Sequence, residues 1–182
     1  MDFAYNDEQK EIIKVVRDLV EKEIVPYASE MDETGKLHEG LLEKLAAQGL
    51  LGVAIPEEFG GAGLDAITIA AIYEELGKGC AGVATTVAAN ALASYPVIIA
   101  GNDDQKKRYF DIINEDNLAA FALTEPGTGS DAGSVSTRAM KTEDGKGYIL
   151  NGTKCFITNG ALAEVFVVFA NTRKSGGIRG LT

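Results

Sequence analysis

Phe121-Ala-Leu-Thr-Glu-Pro-Gly-Thr-Gly-Ser130, with Lys154-Cys-Phe-Ile-Thr-Asn-Gly160 behind it, is the part of this chain that says most about it. The first segment leaves an apolar run, Ala119 to Leu123, and meets Thr124, Glu125 and a rigid Pro126 before Gly127, Gly129 and Ser130. Strand-like residues running into a turn with two glycines leave bare backbone N–H and C=O groups where a flat ligand can approach. The hydroxyls of Thr124, Thr128 and Ser130 add donors and acceptors. The second segment repeats the recipe: Cys155 to Thr158 as an apolar strand, then Asn159-Gly160 as a turn. Two polar-edged backbone surfaces and one aromatic, Phe156, suit a planar heterocycle better than a phosphate.

Outward from these segments the text divides in two. Before Asn117 it is helical. Asn6 with Gln9 reads as a capping box opening a helix to Ile24, with Ile12, Val16, Leu19 and Ile24 at helical spacing and Pro26 disturbing its end. Gly35 breaks the chain, and a second helix runs from about His38 to Gln48, stopped by Gly49. Gly60, Gly61 and Gly63 invite a nucleotide-loop reading, but they match no phosphate-binding spacing and read better as a tight turn. Asp65 then caps a helix to Leu76, stopped at Gly77, on which Glu74 and Glu75 read as solvated. Ala81 to Ala100 lies within a stretch free of charge from Lys78 to Asp103, so it reads as a helix buried on all sides, bent or split by Pro96. An exposed helix follows from Asp104 to Ile113.

Beyond Asn117 the pattern is β, over Leu118–Leu123, Val135–Thr142, Tyr148–Leu150, Cys155–Thr158 and Val165–Ala170, with Asn151-Gly152 as a hairpin signal. A last strand begins at Gly180-Leu-Thr182. The expected fold class is α+β: an all-α domain over residues 1–116, then an incomplete antiparallel β-domain over 117–182.

The totals exclude several classes. The 182 residues carry 17 basic and 27 acidic side chains, a net charge of −10 that argues against nucleic acid or anionic lipid as a main partner. No stretch reads as long and apolar enough to span a bilayer, and the N-terminus lacks the features of a signal or transit peptide. Cys80 and Cys155 have no metal-like spacing, which suits a reducing, cytoplasmic setting and no metal site. His38, the only histidine, reads as a surface residue at a helix start.

Thr124-Glu-Pro-Gly-Thr-Gly-Ser-Asp131 and Phe156-Ile-Thr-Asn-Gly160, about thirty residues apart, resemble the flavin-site signatures of the acyl-CoA dehydrogenases, and the short-chain (butyryl-CoA) branch most of all. The resemblance covers the whole chain. It implies FAD as cofactor, with Phe121, Ala122, Leu123, Thr124, Gly129, Ser130, Phe156, Ile157 and Thr158 around it. Backbone groups of Leu123 and Thr124, with the Thr124 hydroxyl, would address the pyrimidine edge of the ring. Ser130 would lie toward the FAD phosphates and the CoA arm of the thioester, Phe156 would cover one face, and Thr158 would place its hydroxyl near N5. Many relatives carry Trp where this chain has Phe156. Ala88 and Leu92, one turn apart, would flank the acyl tail, although a plain core helix explains them equally well.

The family reaction is α,β-dehydrogenation of an acyl-CoA, with electrons passed to an electron-transfer flavoprotein. In the family the β-domain continues, and a C-terminal four-helix domain carries the catalytic glutamate and grips the adenosine end of FAD, so the chain reads as a fragment with no catalytic residue of its own. A homotetramer is implied for the complete protein. A flavin-dependent oxidase or monooxygenase of the same fold, or a non-catalytic scaffold, are the alternatives.

Overall fold

The computed structural model describes residues 4–173 and 180–182. Helix α1, Asp7–Leu19, opens on the expected capping box, with the Asn6 side chain accepting from Gln9 N and the Gln9 side chain from Asn6 N. The helix does not run to Ile24 as one α-helix. It widens into a π turn, Val20–Ile24, then tightens to a 3-10 turn, Val25–Tyr27, and resumes as α2, Ala28–Thr34. Pro26 is the cause: it has no N–H to offer an upstream carbonyl, and Val25 N bonds Val20 O one residue further back than an α-helix would. Gly35, at φ 64°, ends α2.

Helix α3, Leu41–Ala47, stops at Gly49 in the left-handed region. His38 is not a free surface group. Its ring stacks on Tyr27 at 3.6 Å, and its Nδ1 lies 3.4 Å from the Glu30 carboxylate. The glycine cluster is a tight turn. The N–H groups of Gly61 and Gly63 are spent on Pro56 O and Ile55 O, and a Cβ on Gly61 would sit 2.1 Å from Ile55 O.

Helix α4, Ala66–Gly79, starts on Asp65, which accepts from Ile67 N and Thr68 N. It runs past Gly77 to Gly79, where a Cβ would meet Val20 Cγ1 at 2.6 Å, so the glycine lets α4 close on the π turn. Glu75 is buried rather than solvated. Arg17 holds it from α1, at 2.8 and 3.1 Å, and Lys78 from one turn on, at 2.8 Å. The Arg17 hydrogen bond leads, and with Lys78 it outweighs burial, holding the carboxyl down at about 2. A carboxyl depressed in the folded state adds stability that is complete above its ordinary value of 4.5 and lost as the pH falls toward 2. Glu75→Gln should therefore cost about 1–3 kcal/mol at pH 7 and flatten the acid limb of a stability-versus-pH curve. Parallel curves for the two proteins between those pH limits would contradict the assignment.

Helix α5, Ala81–Ala100, corrects three expectations. It is not split at Pro96 but runs on as one helix. It is not covered on every side, because Leu92, Tyr95 and Ile99 are exposed, Ile99 to 81%. It is also, by length and hydropathy alone, a possible membrane span, which the sequence reading excluded. Its polar interior argues for a domain core. Asn90, fully buried, donates to Leu51 O and Asn117 O and accepts from Ala119 N, and Ser94 Oγ donates to Asn90 O. Helix α6, Asp103–Ile113, is amphipathic rather than exposed throughout, with Tyr109, Phe110 and Ile113 buried.

The β part has four short strands among the described residues: β1 Ala119–Ala122, β2 Arg138–Lys141, β3 Tyr148–Asn151 and β4 Val165–Val168. β1 and β4 pair in parallel, Ala119 opposite Val165, and β2 and β3 antiparallel, Arg138 opposite Asn151. These are two separate two-stranded sheets, one parallel and one antiparallel, with the β2–β3 hairpin carried in the crossover between β1 and β4. Its turn is one connection earlier than expected. Thr142 N bonds Gly147 O, and Gly145, at φ 70°, makes the bend, whereas Asn151 ends a strand. Ala170 and Thr182 exchange both backbone bonds, so the chain's last residues do pair.

Candidate flavin site

β1 packs against α5, Ala119 N bonding Asn90 Oδ1, and a tight turn follows in which Glu125 and Thr128 exchange N–H···O bonds of 3.0 Å each way. Gly127 and Gly129 need no glycine for the protein's own sake: neither has positive φ, and an added Cβ would meet nothing within 4 Å. Bare backbone facing open space is what a closely approaching ligand requires. Ser130 is exposed just beyond.

The second motif comes to the same place, although not as a strand. Cys155 N donates to Thr124 O at 3.0 Å, joining the segments edge to edge. Phe156 then takes φ 56° and Asn159 φ 63°, and Gly160 N closes on Ile157 O. Left-handed backbone at a bulky aromatic costs of order 1–3 kcal/mol. Here it turns the ring outward, 93% exposed, where it contributes nothing to the core. Asn159 Nδ2 anchors the loop behind it, donating to Thr86 O of α5 and Ala119 O of β1 at 2.9 and 3.1 Å. Thr128 Oγ1 is spent on Ser134 O, whereas the Thr124 and Thr158 hydroxyls make no hydrogen bond among the described residues.

Beneath this surface lies Glu125, 4% exposed. It accepts from Ser136 N at 2.7 Å, Thr137 N at 2.9 Å, both of their hydroxyls, and Lys154 Nζ at 2.9 Å. Burial pushes its carboxyl up, but the donors of Ser136, Thr137 and Lys154 together outweigh it, and the group is held far below the usual carboxylate range. A saturated, permanently ionised carboxylate is a scaffold, not a proton carrier. Lys154 also donates to Leu123 O at 2.8 Å.

The sequence reading quoted Glu125 and Lys154 inside the motifs without assigning them work, and nothing local marks a pair 29 residues apart. Of the predicted site residues, Thr124 is joined to the Phe156–Thr158 segment by the Cys155 N–Thr124 O bond, and Gly129 and Ser130 are exposed beyond the turn. Phe121 instead packs on Phe169 and the core beside Phe110, and Ala122 is buried. Ala88 is half-buried and Leu92 is 49% exposed on α5, the helix whose Thr86 carbonyl holds Asn159. No ionisable group reaches the surface among Phe121 to Thr124 or Phe156 to Thr158, so this edge can bind and orient but supplies no general base.

The family profile of the acyl-CoA dehydrogenase N-terminal domain matches residues 6–115, and that of the middle domain matches residues 120–182. A 3-(aryl)acrylate reductase of Clostridium sporogenes is 42% identical over 96% of this chain and 47% of its own. The butyryl-CoA dehydrogenase of Megasphaera elsdenii superposes with a TM-score of 0.89 at 38% identity, over 100% of this chain and 49% of that one. A chain in the electron-transferring flavoprotein structure of Acidaminococcus fermentans gives 0.91 at 38% identity, over 100% and 48%. An acyl-CoA dehydrogenase of Bacillus anthracis solved with FAD gives 0.83 at 39%, over 92% and 29%. This chain spans about half the length of the curated relatives it matches. It belongs to the acyl-CoA dehydrogenase family.

Proposed function

We propose that this chain forms the flavin-edge half of an FAD enzyme acting at the Cα–Cβ bond of a short-chain acyl-CoA, with an electron-transfer flavoprotein as electron partner. The observation that carries the reading is Phe156, held outward at a cost in backbone strain beside the Thr124 edge. When bound, FAD supplies the hydride acceptor. The protein's part is to hold it. Backbone groups of Leu123 and Thr124, with the Thr124 hydroxyl, meet the polar edge of the ring, Phe156 covers a face, Phe121, Ala122, Ile157 and Gly129 close the margin, and Ser130 extends toward the phosphates and the CoA arm. Ala88 and Leu92 line the acyl tail. The residues present fit the cofactor: bare backbone, two uncommitted hydroxyls and one open aromatic face. Structures of relatives with FAD, and a relative acting on butyryl-CoA, support this reading.

Residues 1–116 serve as the helical domain and 117–182 as the first part of the β-domain, in a cytoplasmic homotetramer when the chain has the length of its relatives. The test is anaerobic mixing of the protein at that length with butyryl-CoA. Bleaching of the flavin, slow to reverse in air, is expected. Rapid reoxidation by air would move the protein to the oxidases, and no bleaching by any acyl-CoA would make it a scaffold.

Thr158 is assigned to the hydride-accepting side of the ring, so its contribution should grow as the flavin is reduced. Thr158→Val keeps the shape and removes the hydroxyl, and losing one neutral hydrogen bond should slow flavin reduction roughly two- to thirteenfold with FAD content near normal. An unchanged rate would remove Thr158 from the site, and lost FAD would make it a binding residue instead.

A further inference from the structure

We infer that Lys154 is a positioning residue for the flavin edge, acting through the Leu123–Thr124 peptide. This rests on the flavin reading above.

Among the described residues, Lys154 is the one charged side chain that touches the edge and its support together. Its side chain is 12% exposed, and its ammonium bridges Glu125 Oε1 at 2.9 Å and Leu123 O at 2.8 Å. Leu123 C=O and Thr124 N–H belong to the same peptide unit. No peptide bond in the described chain is cis, so that N–H points opposite to the carbonyl, away from Lys154. The neighbouring carbonyl, Thr124 O, is taken by Cys155 N. Both carbonyls of the edge are therefore pinned from the protein side, and the donor between them is left facing the other way.

A cation on a carbonyl oxygen draws electron density along the amide and makes its N–H a better donor. Lys154 so does two things at once. It fixes the direction in which Thr124 N–H points, and it strengthens that donor. Glu125 keeps the ammonium in place and balances its charge, which lets a lysine stand in a nearly closed site. A polarised donor at the pyrimidine edge favours the electron-rich reduced flavin over the oxidised one, so Lys154 should raise the reduction potential as well as hold the ring.

The experiment uses the protein at the length of its relatives, as wild type, Lys154→Met, Lys154→Gln and Lys154→Arg. FAD dissociation, flavin reduction potential and thermal melting are measured on each. Lys154→Met should bind FAD about tenfold more weakly, about the worth of the one hydrogen bond that Thr124 N–H gives the ring, with a lower potential for the flavin that remains. Lys154→Arg should restore both. Lys154→Gln keeps a neutral donor near Leu123 O, and its flavin should also show a lower potential if Lys154→Met does not fold. A lowered melting temperature with wild-type potential in the folded variants would overturn the inference, leaving Lys154 a structural staple. Wild-type protein that takes up no FAD would overturn the flavin reading itself, a result visible before any variant is made.

Discussion

Glu125→Ala is expected to destabilise the chain by about 3–5 kcal/mol, because it leaves a nearly buried ammonium without its anion. Five donors lose their acceptor together: the N–H and hydroxyl of Ser136, those of Thr137, and Lys154 Nζ. Thr137 is itself buried, so water cannot fully replace the carboxylate there. At roughly 2–4 °C per kcal/mol for a chain of this size, the melting temperature should fall by about 6–20 °C. Glu125→Gln keeps the shape and part of the acceptor capacity, so its loss should be smaller, about 1–3 kcal/mol. The comparison is thermal melting of the two variants beside wild type. Equal, small shifts for both would mean that the carboxylate's charge matters little, and the account of Glu125 as the hub joining the two motifs would fail. Acid should not mimic the mutation at moderate pH, since the carboxyl stays ionised far below the usual carboxylate range.

What was legible in the sequence was whatever a short window contains. The Asn6–Gln9 box, the Asp65 cap and the glycine stops at Gly35 and Gly49 are each decided within a few residues, and each is where the pattern put it. Failures came where a distant partner decides. Glu75 looks solvated beside Glu74 until Arg17, 58 residues away, is brought against it. Two turn dipeptides, Asp144-Gly145 and Asn151-Gly152, offer similar hairpin signals, and strand pairing selects the first. Cys155 to Thr158 has strand composition, yet Asn159, bonded to α5 and β1, closes a loop there. Composition also misjudged α5. Apolar residues on all sides read as full burial, but Leu92, Tyr95 and Ile99 stand bare.

The candidate site divides along the same line. Its surface groups could be read from the motifs, since backbone exposed by glycine, free hydroxyls and an aromatic are properties of the residues themselves. Its support could not. Asn90 and Asn159 both bond Ala119, one at its N–H and one at its carbonyl, and so tie β1 to α5 and to the Phe156 loop. A buried asparagine and an exposed one look alike in a sequence.

The 182-residue chain by itself is expected to show no dehydrogenation of butyryl-CoA. Removing the α-proton requires a carboxylate able to reach the substrate, ionised yet basic enough to accept it. Glu125 is the carboxylate at the candidate edge, and it fails on each count: it is enclosed, saturated by five donors and far too weak a base. Asp131, next along the motif, is exposed but engaged by the Ser134 hydroxyl, beyond the turn from the Thr124 edge. A positioned general base is worth about 10²–10⁴ in rate, so its absence alone should place the chain at least that far below the protein at its relatives' length. The assay is anaerobic bleaching of FAD supplied to each chain, with flavin binding measured separately by quenching of its fluorescence. Binding without bleaching is the expected pattern if the edge forms in the short chain. Turnover within tenfold of the longer protein would mean that a base lies among these residues after all, and the exposed carboxylates, Asp131 first, would then have to be replaced in turn.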